Sequence, residues 1–127
     1  MNIGVGKYIY SALSELKVTV YPVIADFNSP TPTTPFIVYQ RTSAPPQYTK
    51  SLWTREIRHN YSITVVDDQY TSGLSLAQQV IDKLMSLTST EKTDMYIKHV
   101  MLTDISEDSA EGLFLQILQF EINTIEK

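Results

Sequence analysis

Cysteine is absent from this chain of 127 residues. Without thiols the chain has no disulfide and no cysteine nucleophile, which excludes a disulfide-stapled secreted scaffold and fits a reducing compartment. Only His59 and His99 are available as nitrogen ligands for a metal, and they lack HxH or HxxxH spacing. The sequence has neither a GxSxG motif nor a glycine-rich phosphate loop. We therefore expect no enzyme, no cofactor and no metal.

Basic clusters and long apolar runs are also missing. The net charge is −4, and the densest basic group is Lys50, Arg55 and Arg58, so we expect no direct nucleic-acid recognition. No run approaches the ~20 apolar residues of a membrane span, and the N-terminus does not read as a signal peptide. With 43% hydrophobic residues, residues 1–127 are expected to form a single domain in no contact with a membrane.

Two segments have the apolar spacing of amphipathic helices. The first covers residues 3–16, and its apolar stripe consists of Val5, Ile9, Ala12, Leu13 and Leu16. The second covers residues 70–87, where Leu74, Ala77, Ile81, Leu84 and Met85 are expected to share a face. Thr71 or Ser72 is the predicted N-cap of the second helix.

Five segments read as strands: 18–21, 36–42, 55–66, 97–105 and 113–125. The third is the clearest, because Ile57, His59, Tyr61, Ile63 and Val65 alternate with polar residues. The predicted order is therefore α-β-β-β-α-β-β. This order favours an α+β fold with a mostly antiparallel sheet and two helices packed on one face.

Loops are predicted at 25–35, at 43–54 and at SEDSAEG, residues 106–112. The prolines of the first loop hold it extended before the strand that starts at Phe36. In the last strand the apolar set shifts between Ile117 and Leu118. Either a bulge lies there or the two halves of the strand bury opposite faces.

Several polar and aromatic residues have competing interpretations. His59 is read as a core histidine with a hydrogen bond, and Asp67-Asp68 as a solvated turn that ends a strand. A site around His59 and Asp67 is the enzymatic rival, and it requires a cleft with shifted pKa values. The aromatic residues outside evident core positions fit an interface or ordinary edge packing equally well: Tyr8, Tyr10, Tyr48, Trp53, Tyr70 and Tyr96.

Short motifs along nearly the whole chain resemble a known family. A helix VGKYIYSALSEL leads to VYPVIAD, and a proline-rich segment leads into TPFIVYQRTS. The alternating strand REIRHNYSITVVDDQY runs into the helix TSGLSLAQQVIDKL, and the chain closes with LFLQILQFEI. This pattern is similar to the tail completion, or tail terminator, proteins of long-tailed bacteriophages and prophages. The loop SAPPQYTKSLW and the segment after residue 87 depart from it.

The resemblance implies a structural protein of the virion tail, made in the cytoplasm of the bacterial host. Such a protein forms a ring, commonly a hexamer, that caps the tail tube, ends its polymerisation and presents a surface to the head–tail connector. The expected partners are therefore further copies of the chain, the tail tube protein and the connector protein. Contacts are expected in the loops 26–35 and 43–55, at Pro30, Pro32, Tyr48, Trp53 and Arg55. The alternative is a small ligand-binding or adaptor α+β domain, which predicts a closed apolar pocket.

Overall fold

The computed structural model describes residues 2–23, 33–48 and 53–127, with residues 46–48 and 53–55 described by their backbone. Two helices and seven strands are present in these ranges. In chain order they are α1 (Gly6–Ser14), β1 (Thr19–Pro22), β2 (Phe36–Ser43), β3 (Pro46–Tyr48), β4 (Trp53–Asp67), α2 (Tyr70–Met85), β5 (Thr90–Glu91), β6 (Met95–Ala110) and β7 (Leu113–Glu126).

All seven strands belong to one sheet, ordered β1-β2-β4-β7-β6-β5, and β3 also pairs with β4. The β1–β2 pair is parallel and every other pair is antiparallel. The predicted α+β class and the order of the long elements are confirmed. The short strands β3 and β5 are additions, and the predicted loop 43–54 is partly strand because β3 pairs with the first residues of β4.

The main core lies between the helices and one face of the sheet. α2 packs on β4, β7 and β6, while α1 packs on α2 and β1. On α1 the predicted stripe is confirmed, since Val5, Ile9 and Leu13 are fully buried. The sheet contributes its alternating positions, among them Ile63 and Leu118, which pair directly across β4 and β7.

α2 buries a side that only partly overlaps the predicted one, since Ala77 and Leu84 are buried as expected. Its buried residues are Gly73, Leu76, Ala77, Val80 and Leu84, whereas Leu74 and Met85 are 40% and 41% exposed. The cause is a close approach at the start of the helix, because a Cβ on Gly73 would lie 3.3 Å from Asp67 Cβ. Packing the glycine side against β4 brings Leu76 and Val80 inward and leaves Leu74 and Met85 outside.

The predicted loop at residues 106–112 is wrong, because β6 continues to Ala110 and only Glu111 and Gly112 turn the chain. Both turn residues have positive φ, 52° and 79°, as in the two-residue turns that match the twist of a hairpin. The polar residues of this segment form a strand because β7 supplies paired hydrogen-bonding groups along its length.

The shift of apolar residues along β7 reflects burial on opposite faces. The β4–β7 register runs without interruption from Glu56↔Ile125 to Asp67↔Phe114, so it has no bulge at Ile117-Leu118. Leu118 lies in the main core. Leu113 and Leu115 pack on the other face of the sheet, in a second cluster around Phe36 and Val66.

Candidate functional site

The predicted contact residues fall at the borders of the described ranges. Pro30 and Pro32 lie outside the described residues. The backbones of Tyr48 and Trp53 are paired across β3 and β4, and Arg55 follows two residues later in β4. The side chains of Tyr48, Trp53 and Arg55 are not among those described. Their role as contact residues stays a prediction.

A long hairpin of β6 and β7 concentrates the net charge of the protein. We call residues 103–117 the acidic arm. It carries Asp104, Glu107, Asp108 and Glu111 and no basic residue. The other ten carboxylates of the chain are matched in number by ten lysines and arginines, so the arm accounts for the whole net charge of −4. Residues 103–110 are all exposed, and their carboxylates face solvent.

Tyr70, the first residue of α2, holds the arm against the helix layer. Its hydroxyl donates to Glu107, at 2.8 Å from Oε1 and 3.1 Å from Oε2. This hydrogen bond raises the pKa of Tyr70, because it requires the protonated phenol. The Tyr70 ring also meets Phe114 edge to face, with centroids 5.5 Å apart. The arm is thus tied to α2 by one polar and one aromatic contact.

A cavity of about 360 Å³ lies at this junction. Its lining residues come from α2 and both strands of the arm: Tyr70, Glu107, Asp108, Ser109, Phe114 and Gln116. The acidic cluster was visible in the sequence as Glu107, Asp108 and Glu111. Gln116 was not recognised, although a glutamine at an inward position of an alternating strand is itself a signal.

The outer edge of the arm is open. β5 pairs with β6 only at Tyr96 and Ile97. Just beyond them, the Ser89 amide donates to the Lys98 carbonyl, and the Thr88 hydroxyl accepts from the Val100 amide. Within the described part of the chain, residues 101–110 of β6 have no strand neighbour on the side away from β7. Register shifts after Ile97 and after Leu102, together with the carboxylates, are typical protections of a free edge.

Exposed apolar side chains accompany the acidic ones. Ile105 is 53% exposed, Met101 40% and Phe114 37%. A surface that mixes aromatic and aliphatic residues with charges at its rim has the composition of a protein–protein contact. The arm is therefore the best candidate assembly surface among the described side chains.

Tyr8 belongs to a different cluster, which fastens the N-terminus. Asp94 accepts hydrogen bonds from Lys7 at 2.7 Å, from Asn2 at 3.2 Å and from the Tyr8 hydroxyl. These donors, Lys7 first, hold the pKa of Asp94 well below its usual range. The cluster joins α1 to the turn between β5 and β6, which gives Tyr8 an edge-packing role within the subunit.

His59 is a core residue, as predicted. It is fully buried, and its Nε2 lies 3.1 Å from Thr124 Oγ1. Burial, and secondarily the charge of Arg41, lowers the pKa of His59 to about 4. His59 and Asp67 lie eight residues apart on β4, about 26 Å at strand spacing, so they do not converge on one site.

Asp67 ends β4, as predicted, but its side chain is not solvated. It is buried at the start of α2. Its Oδ1 accepts from the Gln69 amide at 3.1 Å and its Oδ2 from the Ser72 hydroxyl at 2.7 Å. Burial by itself raises the pKa of Asp67, but these hydrogen bonds outweigh it and the pKa is lowered. The N-cap position is Gln69, not Thr71 or Ser72, and its side chain forms no cap.

No group of three or more histidine, aspartate or glutamate side chains in residues 2–23, 33–48 and 53–127 is arranged to hold a metal ion. Among the same residues, no helix is both long and apolar enough to cross a membrane.

Comparison with known proteins shows a likeness of fold. No protein-family model matches this chain, and no curated protein sequence matches it. Its fold is similar to that of a chain in the virion of a native gene transfer agent particle, with a TM-score of 0.69 and 15% identity. The match covers 94% of this chain and 92% of the other. The two chains therefore share a fold over nearly their full lengths.

Proposed function

We propose that this protein is a structural component of a phage or phage-like virion, where it forms a hexameric ring that caps the tail tube. In this role it ends tube polymerisation and forms the surface that joins the tail to the head. The observation that carries the proposal is the shared fold with a chain of a gene transfer agent virion along nearly the entire length of both. The tail-terminator motifs of the sequence supply the more specific role. Further copies of the chain, the tail tube protein and the connector protein are its partners.

The distribution of charge supports a head-to-tail contact between copies. The turn of the acidic arm lies at one end of the sheet, beside Leu113. At the other end, Arg58 of β4 pairs with Asn123 of β7, about 33 Å away at strand spacing. The Arg58 side chain is 54% exposed and pairs with Glu121 at 3.0 Å, so its charge is already partly compensated within the chain. A closed ring needs two different complementary patches on each subunit, and the acidic arm provides one of them.

Solution mass, measured by light scattering over a range of protein concentrations, tests the ring. We expect growth towards a hexamer as concentration rises, and weakening of that growth by salt, because exposed charges are screened. Asp104→Lys with Glu111→Lys should suppress association. Glu15→Lys with Asp82→Lys changes the net charge equally on the helix layer and serves as the control. If both double variants associated equally, the acidic arm would not be part of the proposed interface.

The role on the tail is tested on particles. Deleting the gene from the genome that encodes it should leave tails of irregular length that are not joined to heads, as seen by electron microscopy. Supplying the wild-type chain from a plasmid should restore uniform, joined tails. Normal tails on normal heads in the deletion strain would refute the tail-cap role, and absence of the chain from purified particles would refute a virion role altogether.

The alternative, a small ligand-binding or adaptor domain, has less support. It requires a closed apolar pocket. The described cavities are open grooves with many polar side chains. One of about 320 Å³ lies beside α2 and is lined by Leu16, Gln79, Asp82, Lys83 and Ser86.

A further inference from the structure

The cavity between α2 and the acidic arm contains a polar group whose hydrogen-bonding needs are not met. Gln116 is 3% exposed, and its Nε2 has no hydrogen-bond partner among the described residues. Gln116 stands directly across from Glu107 in the β6–β7 register, so the two side chains share a face of the arm. A buried amide nitrogen without an acceptor is unfavourable, because it has lost its hydrogen bond to water and gained none in return. An incoming acceptor would relieve that cost.

No ion pair among the described residues compensates the charge of the cavity. Glu107 lines it from the same face of the arm as Gln116, whereas Asp108 stands across from Leu115, so its side chain starts from the opposite face. The ion pairs described for Lys7, Arg58, Lys83, Lys98 and Lys127 all involve carboxylates outside the arm. Glu107 accepts from Tyr70, and Asp108 accepts from the Ser109 amide at 2.7 Å. Each carboxylate has about four acceptor positions, so both keep room for a further donor.

The rings at the cavity restrict what kind of cation fits. Tyr70 and Phe114 meet at an interplanar angle of 74° and are 42% and 37% exposed. They offer aromatic surface beside the Glu107 carboxylate. A planar guanidinium stacks on such rings and donates several hydrogen bonds in one plane, whereas an ammonium group is a strongly hydrated point charge. An arginine residue also carries a main-chain carbonyl, which is the acceptor that Gln116 lacks.

We propose that this cavity binds an arginine side chain presented by a segment of a partner protein. The guanidinium pairs with Glu107 and lies against Tyr70 and Phe114, while a main-chain carbonyl of the segment accepts from Gln116 Nε2. The inference goes beyond the proposed function, because the cavity belongs to a single subunit and does not depend on a ring or a tail.

The probe is N-acetyl-L-arginine N-methylamide, titrated into the isotopically labelled full chain and followed by NMR. We expect saturable shifts at millimolar probe for the Gln116 side-chain amide and for the backbone amides of residues 107–109. The neutral isostere, N-acetyl-L-citrulline N-methylamide, should produce no saturable shift. Since the arginine analogue binds within a single subunit, the outcome is separate from that of the ring experiment.

Two variants locate the site. Glu107→Gln should weaken binding about tenfold or more, in line with loss of a hydrogen bond to a charged group. Asp104→Asn removes an arm carboxylate outside the cavity and should leave the affinity within about twofold. The proposal is overturned by shifts that stay linear to about 100 mM probe, by equal binding of the citrulline analogue, or by unchanged affinity in a folded Glu107→Gln protein.

Discussion

Tyr70 donates its hydroxyl to Glu107 across 2.8 Å and so links the first turn of α2 to a strand 37 residues further along the chain. The same tyrosine packs its ring on Phe114. A single side chain of α2 therefore contacts both strands of the arm, at Glu107 on β6 and at Phe114 on β7. Tyr70 thus adds a side-chain link between α2 and the acidic arm to the pairing of β7 with β4.

Tyr70→Phe should keep the ring contact and release Glu107. We expect severalfold faster hydrogen exchange for the amides of residues 103–117, because the arm then opens more often while the core stays closed. Tyr10→Phe, at a 46% exposed tyrosine of α1, is the control. Unchanged exchange in the arm of the Tyr70 variant would show that the hydrogen bond does not order it.

Leu118→Ala and Ile117→Ala test the two faces of β7. Leu118 is fully buried in the main core, so its truncation should lower the free energy of unfolding by about 2–5 kcal/mol. Ile117 is half-buried on the opposite face. Its truncation should lower the free energy of unfolding by less than half as much. Denaturant titration of both variants measures the difference, and equal losses would contradict the assigned faces.

Asp67→Ala should destabilise α2 at its start. The variant removes the acceptor of the Gln69 amide and the Ser72 hydroxyl, and the loss of comparable capping side chains costs ~1 kcal/mol. Asp68→Ala, at the exposed neighbour, should change the free energy of unfolding by less than about 0.5 kcal/mol. Thermal unfolding of the pair decides whether the cap or the local negative charge matters.

Stability should depend on pH through His59. The pKa is about 4 in the folded protein, against an ordinary 6.5, so the unfolded chain binds more protons between these values. The contribution of neutral, buried His59 to the free energy of unfolding is full above about pH 6.5. It is lost as pH falls towards 4, by up to ~3 kcal/mol. His59→Gln should flatten this part of the stability curve, while His99→Gln should retain its slope. A retained slope in the His59 variant would assign the effect to another group.

The secondary structure was largely predictable because its signals are local. The stripe on α1 and the alternation in β4 follow from helical and strand periods of hydrophobicity, and both reappear as buried faces. The errors occurred where two local patterns overlap. α2 carries two apolar stripes, and the close approach of Gly73 to Asp67 decides which one is buried.

The candidate site was only partly predictable. The carboxylates of residues 107–111 formed a visible cluster, but a polar segment rich in serine and acidic residues reads as a loop unless its pairing partner is known. β7 supplies that partner and makes the segment a strand. Gln116 and Tyr70 stand 46 positions apart, and no local pattern indicated that they line one cavity.

Residue type and short-range spacing are enough to predict the α+β class, the apolar stripe of α1, the alternating faces of β4 and the net negative charge. The folded structure adds which side of α2 is buried, where the sheet continues into the acidic arm, and which distant side chains share a cavity. These features depend on contacts between segments far apart in sequence, where packing and strand pairing choose among patterns that are locally equivalent.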